Sequence, residues 1–211
     1  MTDAAPARTG PRQAWTIGGI LLLVCAGLSV VEPALMFTAL FTPVSWARTL
    51  AFSAALVVFA VGIRGRGSVV DRRPLGVSAL VLLALWPLVD AVVYALVPPT
   101  MDSLESYQVW GYVSLLVPLA AAIVAVVLIA RAGVVPHPWR WAPLWALGAA
   151  IAPQLILQAV AASPGADVQG MAAPMVGLGQ LIAVAVPLGL GLCAVLLARS
   201  RPTAVQVYPG S

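Results

Sequence analysis

The sequence has no lysine, one histidine, two cysteines and few charges, which occupy 9% of its 211 positions. Each shortage closes a class of function. Soluble domains carry about 25% charged residues. A chain that is 62% hydrophobic, with a mean hydropathy of +1.02, has the composition of a membrane protein instead. A single histidine, His137, leaves no bis-histidine haem and no His-rich metal centre. No cofactor and no metal site are expected. Cys25 and Cys193 lie in separate apolar runs, far from any CxxC, and read as small buried hydrophobes rather than a disulfide. No P-loop, HExxH or nucleophile motif is present, so ATP-driven work would need another chain.

The isoelectric point near 9.7 would admit nucleic acid as a partner. The arginines argue otherwise. They sit at the ends of apolar runs, with no basic domain between them, and serve as topology signals. Arginine to the exclusion of lysine, with abundant Ala, Val, Leu and Gly, points to a GC-rich bacterial genome.

What is present is a series of apolar runs of about 20 residues each, the length that spans a bilayer. The expected fold is all-α: a polytopic membrane protein of six transmembrane helices with both termini cytoplasmic. Residues 1–14 read as a disordered cytoplasmic tail, 15–198 as the transmembrane domain and 199–211 as a second cytoplasmic tail. The first run is taken as a retained span, since no clear signal-peptide cleavage site follows it. In this topology ten of the eleven arginines face the cytoplasm and only Arg48 does not. The loop of Arg64, Arg66, Arg72 and Arg73 is the strongest marker. Thr42–Ser45 reads as a turn before span 2, and 163–174 as an outer loop before span 6. Localisation follows as multi-pass in the bacterial cytoplasmic (inner) membrane.

Span 3 carries the most informative residue. Asp90 stands inside a run of roughly 24 apolar residues, where a charge costs about 2.5–3.5 kcal/mol at the helix centre. Trp86 lies four residues before it and Tyr94 four after, so the three share a helix face. Span 1 ends with Glu32-Pro33. Proline either kinks that helix, freeing the carbonyl of Ser29 four residues earlier, or follows a helix that stops at Val31.

Counting about 1.5 Å per residue from the inner boundary places Glu32, Asp90, Gln154, Gln158 and Gln180 at a similar depth, roughly 19–26 Å up a 30 Å core. Arg48 falls just above them. The implied site is an outward-facing polar pocket whose substrate-binding residues are Glu32, Arg48, Trp86, Asp90, Tyr94, Gln154, Gln158 and Gln180. Two acids facing one arginine suggest that Glu32 pairs with Arg48 and that Asp90 is the titrating group, coupling the movement of a small solute to a proton. Against this stand blander readings: the acids reach the headgroups or pair with Arg48 and merely lock helices together, the glutamines tie helices together, and Trp46, Trp139 and Trp141 anchor the interface.

Three functions fit. The first is a small-solute transporter or a solute-binding membrane subunit. The second is a membrane-embedded enzyme acting on a lipid or isoprenoid, with acids that protonate and aromatics that stabilise a cation. The third is a non-catalytic scaffold or assembly subunit. Partners would be the lipid bilayer, a small-molecule ligand, and a partner membrane subunit or a homo-oligomer.

Overall fold

The computed structural model describes residues 10–62, 68, 73–96, 104–132, 141–161 and 168–200. The loop arginines Arg64, Arg66 and Arg72, the outer acid Asp102, and His137 lie outside the described residues. Every described element is helical. There are six long helices: α1 (Gly10–Val31), α2 (Phe41–Val61), α3 (Pro74–Leu96), α4 (Leu104–Ala132), α5 (Ala142–Ala161) and α6 (Val168–Ser200). A single 3₁₀ turn, Glu32–Leu35, follows α1. Five of these helices are long and apolar enough to cross a membrane, and α5 carries a shorter described apolar stretch, Ala142–Pro153.

Three boundaries differ from the sequence expectation. Thr42–Ser45 is not a turn, because α2 already begins at Phe41. Pro43 sits in its first turn, where the missing N–H has no intrahelical partner to lose. The residues before it are wound tightly: the Thr38 hydroxyl donates to the carbonyl of Leu35 at 2.9 Å and accepts from the Leu40 amide at 3.3 Å. Residues 168–174 are likewise helical, since α6 starts at Val168 and runs through Pro174. The first helix opens at Gly10, within the stretch read as tail. At the other extreme of α2, Gly62 adopts φ 74° with ψ 178°, a region that glycine alone enters readily, and the helix ends there. Ser68 then donates to the carbonyl of Ala60 at 2.7 Å.

Most helices pack against a neighbour in sequence, with α1 against α6 the exception. Contacts run from α4 to α3, α2, α1, α6 and α5, while α4 and α5 barely touch. The closest approach is between α1 and α6. A Cβ on Gly19 would stand 2.9 Å from the carbonyl oxygen of Gly191, and a Cβ on Gly191 would stand 2.9 Å from that of Gly19. Small residues let membrane helices meet backbone to backbone, where dispersion rather than the hydrophobic effect holds them together.

Burial is lopsided along the bundle. The core joins Trp15 of α1, Ala60 of α2, Ala79 and Leu80 of α3, Ala125 and Ile129 of α4, and Leu197 of α6. These residues lie at one end: the start of α1 and α3, and the finish of α2, α4 and α6. In α3 the buried residues are Gly76, Ala79, Leu80 and Ala84, all in its first half. In α2 all four follow Arg48. Among the described residues the bundle is therefore densely buried at one end and splayed, in the sense of sparsely buried, at the other.

Candidate functional site

The polar residues occupy the splayed end, and they do so on the faces that form the core below. On α3, a stripe with steps of three and four runs Gly76, Leu80, Leu83, Pro87, Asp90, Tyr94. Residues so spaced share one helix face. Gly76 and Leu80 are buried, Asp90 is half-buried and Tyr94 is 50% exposed. The same progression holds on α1, where Trp15, Gly18, Leu22, Cys25 and Ser29 are buried and Glu32 comes next on the stripe. On α4, Ile129, Ala125 and Ala121 lead through Pro118 to Ser114 and Trp110. On α6, Ala198, Ala194, Gly191 and Pro187 lead through Val184 to Gln180. Arg48 stands one step from Ala51 and Ala55 on α2. Five inward stripes thus begin small or apolar and finish polar.

They finish at one level. The Ser53 hydroxyl donates to the carbonyl of Ala84 at 2.5 Å and sets the register of α2 against α3. Arg48 lies five residues from Ser53 and Asp90 six from Ala84, towards the same end, so both stand about 8–9 Å from that bond. Glu32 lies against Arg48, with Oε2 at 2.7 Å from Nε. The expected ion pair is thus present. The arginine Nε–H is not aligned along the contact, which makes the attraction coulombic rather than a good hydrogen bond.

Asp90 has other partners. Its Oδ1 accepts from the indole Nε1 of Trp110 at 3.0 Å and from the hydroxyl of Ser114 at 2.6 Å. Both donors come from α4. Trp86 stacks on Trp110, with ring centroids 5.9 Å apart and planes 11° from parallel. The Trp86 indole N–H is buried and meets no acceptor among the described residues. Within those residues no ion pair joins Asp90 to Arg48 or any other cation. Glu32 and Asp90 are therefore level but separately satisfied, one by a charge and the other by neutral donors.

Gln180 completes the layer. Its Nε2 donates to the backbone carbonyl of Ser29 at 2.6 Å. That carbonyl lies four residues before Pro33, whose missing N–H cannot reach back to it. The helix stops its α-turns at Val31 and passes through Pro33 as a 3₁₀ turn, so elements of both expectations hold. On α3, Ser53 bonds the carbonyl of Ala84, the residue after Leu83, whose own carbonyl is the one Pro87 leaves without its i+4 donor. The side chains of Gln154 and Gln158 lie outside the described residues.

Sequence reasoning missed Trp110 and Ser114 as partners of Asp90. The stripe Trp110, Ser114, Pro118, Ala121, Ala125, Ile129 was the signal, since it aligns both donors with an unbroken small-residue face. No group of three or more His, Cys, Asp or Glu side chains is placed to hold a metal among the described residues. Compared with known proteins, the chain matches no family model, no curated protein and no solved structure.

Proposed function

We propose that the protein is a small-solute transporter or solute-binding membrane subunit whose ligand enters at the splayed end of the bundle. One observation carries this reading: the inward stripes of α1, α2, α3, α4 and α6 each turn polar at the level where burial ends. A scaffold uses single polar bonds of this kind to set register but gains little from gathering them at one level. Polar bonds between membrane helices add only about 0.6 kcal/mol on average, and an apolar layer would pack as well. Acids within membrane spans are rare and commonly mark ligand or ion paths.

Orientation follows from charge. With six spans and both termini in the cytoplasm, the arginine-rich ends of the helices face inward and the splayed end faces outward. The membrane is then the bacterial inner membrane. Glu32, Arg48, Trp86, Asp90, Tyr94 and Gln180 line the entry, with Trp110 and Ser114 added by the geometry of Asp90.

The test is a ligand screen. Purified protein in lipid nanodiscs is heated with a panel of small water-soluble solutes. At least one solute should raise the unfolding temperature, and Asp90→Asn should abolish that rise. A panel with no effect on the wild type, or a rise untouched by Asp90→Asn, contradicts the reading.

A second reading, an enzyme acting on a lipid or isoprenoid, draws support from the side of the bundle. An apolar groove of about 510 Å³ lies between α5 and α6, lined by Trp145, Ala149, Ile182, Val186 and Cys193. Beside it α5 makes little contact with α4. A photoreactive long-chain lipid that crosslinks to Trp145 or Ile182 and is chemically altered only when Asp90 is intact would favour the enzyme.

A further inference from the structure

The charge balance at the open end narrows the ligand. Among the described residues, the cation at this level is Arg48, and it is engaged by Glu32. Among the described residues, Asp90 is met only by neutral donors, an indole N–H and a hydroxyl. Two neutral hydrogen bonds hold Asp90 in place without cancelling its charge when it is ionised, and in that form the layer is net negative within a membrane span. Beside it two indole rings lie nearly parallel, 5.9 Å apart. Each ring turns one face away from the other, and an aromatic face is the negative part of the ring's quadrupole. Tyr94 adds a third ring one turn above Asp90, on the same stripe and half exposed.

A carboxylate next to aromatic faces selects positive charge of low hydration. Organic ammonium groups fit that description, since π faces attract them and they lose less on leaving water than small metal ions do. From this juxtaposition we infer that Asp90, Trp86, Trp110 and Tyr94 form a binding site for a small organic ammonium compound. The inference rests on the reading of the splayed end as a solute entry.

Two isosteres test it directly. Choline and 3,3-dimethylbutan-1-ol have the same shape and hydroxyl and differ in the charge at the branched centre. Binding of each to the full chain in nanodiscs is followed by tryptophan fluorescence and calorimetry, in buffer of constant ionic strength. Choline should bind at least tenfold more tightly than the neutral alcohol. Asp90→Asn should remove most of that preference, and Trp86→Leu should weaken choline binding while Trp86→Phe retains it. Equal affinity for the two isosteres overturns the proposal, as does a choline signal reproduced by sodium alone. If Asp90→Asn does not fold, the isostere comparison on the wild type still decides. Entry is scored separately by a membrane-impermeant thiol reagent on Tyr94→Cys. Labelling without charge preference rejects the ammonium site and leaves the solute entry standing, whereas absence of labelling rejects both.

Discussion

At Pro33 a single ring decides where a side chain from the far end of the sequence must go. The proline removes the N–H that would serve the Ser29 carbonyl, and Gln180 supplies a replacement at 2.6 Å. Replacing Gln180 by leucine should cost about 1 kcal/mol, at the upper part of the range for bonds between membrane helices. In a Pro33→Ala background the restored backbone N–H should serve the same carbonyl, and the cost of Gln180→Leu should fall by half or more. Unfolding by SDS titration of the four proteins in this cycle gives the coupling. An equal cost in both backgrounds means that the bond does not compensate for the proline. Half of this arrangement was legible beforehand. The freed carbonyal follows from local chemistry, i to i−4, and can be named from the dipeptide Glu32-Pro33. Its donor lies 151 residues away, and depth counting could match the level of Gln180 but not the face it presents. Asp90 shows the same limit. Its cost in apolar surroundings is evident from the sequence, while its partners on α4 depend on how two stripes rotate towards each other.

At the scale of the helix, spacing between small residues matters more than hydropathy. The α1–α6 seam closes on Gly19 and Gly191, where an added Cβ meets a backbone carbonyl that has no rotamer to escape through. Gly19→Leu or Gly191→Leu should destabilise the protein by about 1–3 kcal/mol or more, as overpacking does. Gly27, with open space around its Cβ direction, should tolerate alanine within about 0.5 kcal/mol. Thermal unfolding of the three variants in one detergent checks the contrast, and equal sensitivity at all three positions would contradict the packing. The helices themselves were readable because long apolar runs admit no other backbone solution in lipid. Their ends were less so. Pro43 and Pro174 suggest loops in a soluble protein, yet α2 accepts one in its first turn and α6 continues through the other.

For the molecule as a whole, the claim is that one end is sealed by small and apolar side chains while the other admits water to a polar layer. Substituted cysteines along the inward stripe of α3 test it most directly, in a background where Cys25 and Cys193 are alanine. Leu80, Leu83, Asp90 and Tyr94 are replaced one at a time, and whole cells are treated with a membrane-impermeant maleimide. Tyr94→Cys and Asp90→Cys should label rapidly from outside, Leu83→Cys at least tenfold more slowly, and Leu80→Cys not at all. Uniform protection along the stripe, or labelling only after the inner face is exposed, would contradict the account.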